Sequence, residues 1–215
     1  MSRVPKPVVL ASASPRRRDL IRHLGISVEI DPSHIPEEME SDIPPKQMVS
    51  VLAVRKASEV AARRPDFIVI GADTTVEIGG TILNKPEDLT DAERMLRRLR
   101  GQTHRVHTGV AVLAPDQSTC SDVMTSRVTM RPFSDLELRA YLETGESLDK
   151  AGAYGIQGAA GDIVEAVEGC YTNVVGLPLC TLARSLISAG VRLTSPAPSC
   201  GFRTDRVCPW WPVPK

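Results

Sequence analysis

Apolar residues in this chain come in short runs separated by polar segments of helical period, and that alternation predicts its elements. Val8 to Ala11 is an apolar run of the kind a buried strand shows, and Ser14 with Pro15 opens a helix to Leu24. Gly25 then stands where a left-handed C-cap is favoured. A short strand at Val28 to Ile30 leads through a polar stretch, Asp31 to Pro45, into a helix from Lys46 to Arg63. Phe67 to Ala72 reads as a second buried strand, and Thr74 to Leu83 as a hairpin turning at Gly79-Gly80. Thr90 is placed to cap a helix through Arg100 that Gly101 ends.

Val106 to Leu113 and Ser121 to Met130 read as two longer strands joined at Pro115-Asp116. Ser134 caps a further helix whose first turn carries Asp135 and Glu137, charges that suit the positive end of the dipole. Ile163 to Val167 is a strand and Leu177 to Ala189 a closing helix. Alternating helices and strands define an α/β protein without internal repeats. Residues 1–193 therefore form the folded domain. Residues 194–215, proline-rich and without period, read as a disordered tail, with Trp210 and Trp211 as a docking patch for a partner in the other reading.

Composition narrows the class. With 215 residues, 42% of them hydrophobic, the chain can build one substantial core or two lobes sharing a cleft. Its 26 basic and 26 acidic residues balance, so no global field draws in a nucleic-acid polymer or an anionic membrane; any anion site must be local. No apolar run approaches the roughly 20 residues that span a bilayer, and the opening residues lack a signal-peptide pattern, which points to the cytoplasm. Five cysteines without a Cys-x-x-Cys pair, and four scattered histidines, argue for reduced thiols and against a nitrogen–sulfur metal site. A metal, if used, takes oxygen ligands.

Four segments carry candidate chemistry. In Ser12-Ala13-Ser14-Pro15-Arg16-Arg17-Arg18 three cations fall in a first helical turn, where the dipole disfavours them by some tenths of a kcal/mol each. A bound anion would reverse that penalty, since backbone N–H groups, serine hydroxyls and guanidinium forks all suit phosphate oxygens; a solvated basic turn is the plain alternative. Gly71-Ala72-Asp73-Thr74 puts a carboxylate at the carboxyl end of a buried strand, where α/β sheets bind ligands, although turn aspartates that cap their own backbone are common. Lys56 and Lys85 could extend a phosphate site or be ordinary surface lysines, and Glu37 could join Asp73 on a metal or be solvated. Asp149-Lys150-Ala151-Gly152-Ala153-Tyr154-Gly155-Ile156-Gln157-Gly158 is the most unusual stretch: its glycines imply close backbone approach or positive φ, and Gln157 could read a pyrimidine edge. A tight structural turn is its other reading.

Taken in order, these segments, with Lys85-Pro86 and Asn173-Val174-Val175-Gly176-Leu177-Pro178-Leu179, resemble the Maf family from about Val8 to Val191. The resemblance implies a mixed, twisted sheet flanked by helices, with two lobes around a cleft, similar to inosine triphosphate pyrophosphatases, and often a homodimer. It implies hydrolysis of a nucleoside triphosphate between its α and β phosphates, releasing a monophosphate and pyrophosphate. It implies Asp73 as catalytic base or metal-orienting carboxylate with Glu37 beside it, and Ser12, Arg16, Arg17, Lys56 and Lys85 as phosphate-binding residues. The form of the 149–158 segment is similar to the branch acting on dTTP and UTP, with Arg16, Thr74 and Gln157 at the positions tied to that choice. A branch acting on 7-methyl-GTP or damaged purine nucleotides is the alternative, and a non-catalytic nucleotide-binding regulator of cell division is the alternative of another class. Two positions depart from the family's pattern: Asp162 stands where an apolar residue is expected, and the proline-rich tail has no counterpart.

Cleaving a phosphoanhydride requires neutralising the charge that builds on the leaving pyrophosphate. Asp73 and Glu37 holding Mg²⁺ or Mn²⁺, with the cationic side chains around them, would meet that need.

Overall fold

A computed structural model of the chain describes residues 6–36, 43–193, 199–201 and 204–207. Glu37, Trp210 and Trp211 therefore lie outside the described residues, as does most of the proline-rich tail. The elements are β1 (Val8–Leu10), α1 (Pro15–Arg22), β2 (Val28–Ile30), α2 (Pro45–Arg63), β3 (Ile68–Ile78), β4 (Thr81–Leu83), α3 (Leu89–Leu99), β5 (Thr103–Leu113), β6 (Thr119–Met130), α4 (Asp135–Glu143), β7 (Val164–Glu168), α5 (Tyr171–Val175) and α6 (Leu179–Ser188). Within the segment expected to lack regular structure, β8 (Ser199–Gly201) and β9 (Thr204–Val207) form a short antiparallel pair.

The main sheet runs β2-β1-β3-β5-β6-β7, with β4 also paired to β3. β1 is parallel to β2 and β3, while the long β3, β5 and β6 are antiparallel neighbours, so the sheet is mixed as expected. One strand is longer than its apolar run suggested. β3 continues from the buried run through Asp73 and Thr74 into the hairpin, because β5 pairs with it without interruption from Val69 to Glu77. Gly79 and Gly80, at φ +55° and +78°, make the turn into β4.

β1 and β4 share one edge of β3, since β5 occupies the other. β1 pairs with Ile68, Val69 and Ile70, and β4 with Val76, Glu77 and Ile78. Among the described residues no strand lies beside Gly71 to Thr75 on that edge, and this gap is where the cavity described below opens.

Helices cover both faces. On one, the main core gathers Leu10, Ile70, Leu96, Met130, Phe133 and Leu182, all fully buried, from the sheet and the helices packed on it. On the other, α2 sets Ala53, Ala57 and Val60 against Val9, Val69 and Ala111. Two glycines allow α2 to lie this close: a Cβ at Gly71 would sit 2.1 Å from the Ala53 carbonyl oxygen, and one at Gly109 would sit 2.3 Å from that of Val49.

Helix ends follow capping rules. Ser14 and Pro15 open α1, and Ser134 forms a full capping box with Glu137. The start of α3 differs from expectation. Asp88, not Thr90, is the N-cap: its Oδ1 accepts the Asp91 amide at 2.7 Å, and the helix begins at Leu89. A carboxylate two residues further out reaches the free amides that Thr90, already helical, cannot. The five-residue α5 was not foreseen either. It packs between sheet and α1 and ends at Gly176, whose φ of +118° is open to glycine. Asp162, expected to disturb an apolar strand lead, is exposed in a 3₁₀ turn, and the buried residue there is Ile163. Among the described residues no helix is long and apolar enough to cross a membrane, and Cys120 is an exposed thiol.

The contact between α2 and the sheet is testable. Gly71→Ala should lower stability by at least about 2 kcal/mol, because the added methyl meets helix backbone that cannot rotate away. Chemical denaturation should show the midpoint fall for Gly71→Ala.

Candidate active site

A cavity of about 950 Å³ opens at the gap beside β3. Its walls come from the β1–α1 loop and the start of α1, one side of α2, Asp73, Thr74 and Val76 of β3, the end of β4, the 149–157 segment and the end of α5. Ser12, Arg16, Arg17, Lys56, Asp73, Thr74, Lys85 and Gln157 all line it, so every expected site residue within the described residues reaches one space. Arg18 does not line it and is exposed, since the helical turn carries it away from the two arginines before it.

The inner end is built around a buried ion pair. Lys56 Nζ donates to Asp73 Oδ1 at 2.6 Å, and both side chains are about nine-tenths buried. Lys56 is on α2 and Asp73 on the sheet face that α2 covers, directly opposite Gly109 in β5. The close approach of α2 is thus what brings this ammonium to this carboxylate.

Thr74 points to the opposite face of β3. Its hydroxyl is 2.9 Å from that of Thr108, which in turn donates to the Asn173 carbonyl at 3.1 Å. Arg17 crosses to the same place. Its Nε donates to the Gly176 carbonyl at 2.9 Å, one terminal nitrogen to Ser12 Oγ at 3.2 Å and the other to Thr74 Oγ1 at 3.1 Å. The guanidinium is held by three elements at once, which fixes its plane before any ligand arrives. Asn173 anchors α5 beneath it by donating to the Val106 carbonyl at 3.0 Å and to Ser126 Oγ at 2.9 Å.

The outer end is different. Arg16 donates to Asp149 Oδ2 at 2.8 Å and Lys150 donates to Asp149 Oδ1 at 2.6 Å, while the Asp149 side chain is 61% exposed. Burial alone would raise the Asp149 carboxyl, but the hydrogen bonds from Lys150 and Arg16 outweigh it and hold the group below its ordinary range.

The 149–158 segment is stapled from behind. Gly152 donates to the Asn84 carbonyl at 3.1 Å, tying it to the end of β4, and Gly155 donates to the Tyr141 hydroxyl at 3.3 Å. Gly152 and Ala153 both have positive φ, +71° and +61°, the second an uncommon value for alanine. Tyr154, which lines the cavity, has its hydroxyl 2.7 Å from Nε2 of the buried His104. Burial pushes the His104 imidazole down to about 4, so it is a neutral partner for the phenol at physiological pH. Neither His104 nor Tyr154 was legible as a site residue. The pair is formed by β5 meeting a segment fifty residues away, and a lone histidine in a strand carries no signal of that.

The electrostatics are local, as the balanced chain requires. Among the described lining residues five are cationic, Arg16, Arg17, Lys56, Lys85 and Lys150, against two carboxylates, Asp73 and Asp149. The α1 N-terminus adds its partial positive charge. The cavity therefore suits a polyanion. Among the described residues no group of three or more His, Cys, Asp or Glu side chains converges.

Residues 7–189 match the family described as Maf-like protein, and the chain belongs to that family. Among its relatives, the dTTP/UTP pyrophosphatase of Pelotomaculum thermopropionicum is 46% identical over 186 residues, covering 86% of this chain and 97% of that protein. The dTTP/UTP pyrophosphatase of Moorella thermoacetica is 48% identical over 185 residues, covering 86% and 95% respectively. A looser spatial likeness links it to the Ham1 protein of Staphylococcus aureus, with a TM-score of 0.43 and 14% identity over 59% of this chain and 73% of that one.

Two outcomes test the site's construction. Lys56→Met should cost roughly 3–5 kcal/mol by leaving the Asp73 charge buried without its counter-ion, and adding Asp73→Asn should recover part of that loss in a double-mutant cycle. His104 ties stability to acid: its folded value of about 4 lies below the unfolded one near 6.5. The unfolded chain takes up that proton first, so stability is intact above pH 6.5 and is lost as pH falls toward 4, by about 3 kcal/mol at most. Thermal melts of His104→Phe across that window should show a shallower acid loss than the parent chain.

Proposed function

We propose that this chain is a nucleoside triphosphate pyrophosphatase that hydrolyses dTTP and UTP to the monophosphate and pyrophosphate. The observation that carries the reading is the convergence of Asp73 and four cationic phosphate-binding candidates on one cavity in a chain of zero net charge. The relatives named dTTP/UTP pyrophosphatase, matched over almost their whole length, support the substrate.

Asp73 accepts a proton from the attacking water as its oxygen bonds to the α phosphorus. The bridging bond to the β phosphate breaks, and pyrophosphate leaves with the added negative charge. Such a reaction asks the protein mainly for position and charge neutralisation. Arg17, braced by Ser12, Thr74 and Gly176, supplies a preorganised fork for phosphate oxygens. Lys85 at the end of β4 and the amides at the start of α1 reach the same space. Lys56 keeps the Asp73 carboxylate in place through the 2.6 Å contact.

A divalent cation fits this donor set. Mg²⁺ and Mn²⁺ are commonly held by one or two carboxylates together with substrate phosphates, and Asp73 supplies one such carboxylate among the cavity's inner residues. Glu37 is the proposed second. The cation would add charge neutralisation at the phosphates.

The test is a panel of dTTP, UTP, CTP, ITP and 7-methyl-GTP with Mg²⁺ or Mn²⁺, products resolved by chromatography. Monophosphate plus pyrophosphate from dTTP and UTP is expected, and Asp73→Asn should lower kcat by at least about 100-fold. Preferential cleavage of ITP or 7-methyl-GTP would move the assignment to the purine branch. No product from any nucleotide would leave a regulator that binds without turnover.

A further inference from the structure

The two neighbouring arginines at the start of α1 are held in different ways, and the difference divides the cavity. Arg17 is turned to the inner end, where it donates to Ser12, Thr74 and the Gly176 carbonyl. Arg16 is turned to the outer end, on a carboxylate. The burial of the two ion pairs gives the direction: Asp73 and Lys56 are about nine-tenths buried, whereas Asp149 is 61% exposed and Arg16 is 28% exposed. Phosphates drawn to the inner end leave the nucleoside at the outer end, beside Asp149.

We propose that Asp149, flanked by Arg16 and Lys150, is a specificity-determining residue that reads the uracil or thymine edge of the substrate by accepting its N3–H. This rests on the dTTP and UTP reading above and names the group that selects those bases. The argument is one of hydrogen-bond pattern. Uracil and thymine present an acceptor, a donor and an acceptor, at O4, N3–H and O2. Arg16, Asp149 and Lys150 present a donor, an acceptor and a donor, with one Asp149 oxygen on each neighbour. A carboxylate has about four lone-pair directions. Each oxygen keeps one beyond its bond to Arg16 or Lys150, and the exposed Asp149 lines the cavity.

Cytosine is opposed by the same set. Its N3 is an acceptor, so it would bring a lone pair against the carboxylate. Guanine fits no better, with one acceptor followed by two donors.

A second, independent feature supports the placement of the triad. Gly155 has an ordinary φ, so its glycine is not required by backbone conformation. A Cβ there would lie 2.5 Å from Lys150 Cε and 2.7 Å from Cδ. The missing side chain leaves room for the Lys150 stem, which lets the ammonium reach Asp149 and the Glu146 carbonyl. Gln157 lines the same cavity.

The experiment measures kcat/KM for UTP and CTP with the wild-type chain and Asp149→Asn, and for 3-methyluridine triphosphate with the wild type. Asparagine can turn its NH₂ toward cytosine N3, so the UTP-to-CTP ratio should fall by about tenfold or more, chiefly through KM. The N3 methyl group removes the donor and should lower kcat/KM about tenfold or more relative to UTP, a measurement that needs no variant. A ratio within about twofold of wild type, or equal losses for every nucleotide, would overturn the assignment and leave Asp149 a support for Arg16. Full activity on the methylated nucleotide would overturn it as well. If the wild type cleaves neither dTTP nor UTP, the activity reading falls first and this inference falls with it.

Discussion

How closely α2 lies on the sheet governs much of the rest. Helices usually stand off a sheet by the thickness of two layers of side chains. Here Gly71 and Gly109 remove one layer at the crossing, and the helix backbone at Val49 and Ala53 takes its place. From that depth Lys56, one turn further along, reaches Asp73 on the strand below. Two buried charges meet in the only way that burial tolerates, as a hydrogen-bonded pair. A bulkier residue at either glycine would separate the helix from the sheet and the ammonium from the carboxylate together. Packing and chemistry are therefore a single constraint.

The second consequence comes from the edge of β3. A strand flanked along its whole length would have its polar groups spent on neighbours. β1 stops pairing at Ile70 and β4 starts at Val76, so the strand passes through open space between them. Asp73 and Thr74 lie in that interval and look to opposite faces, which lets one strand supply a buried carboxylate to α2 and a hydroxyl to Arg17. The loop leaving β1 and the start of α1 carry Ser12, Arg16 and Arg17 on one side, and the loop leaving β4 carries Lys85 on the other, as expected where strand connections diverge. Cationic charge thus concentrates in one place in a chain that has none overall.

Membership in the Maf family gives these features a context, and the two ends of the cavity differ in construction. Its inner end is rigid and charged, with Arg17 fastened to three elements and Asp73 to α2. Its outer end is more exposed and is made by a segment stapled to β4, Tyr141 and His104. The proposed discrimination between substrates falls at such an end, where donors and acceptors can be arranged without disturbing the inner groups.

Much of this was written in the order of residues. Ser14, Pro15 and the arginines after them announced a helix start that wants an anion, because capping and dipole effects act over a single turn. The apolar run before Asp73 announced a buried strand leading into a carboxylate, because strand burial is a local pattern. The motif order was specific enough to point to the family, and with it to Lys56, Lys85 and Gln157. Other features were decided only in three dimensions. That Arg16 and Arg17 part company, that Lys56 stands against Asp73 Oδ1, and that His104 supports Tyr154 depend on contacts between residues far apart in the chain. The extension of β3 through the hairpin was likewise hidden, since β5, not β3's own residues, supplies the pairing. Local rules fix what a residue can do and which element holds it; which partner it meets is set by how the elements cross, and that information is spread over the whole chain.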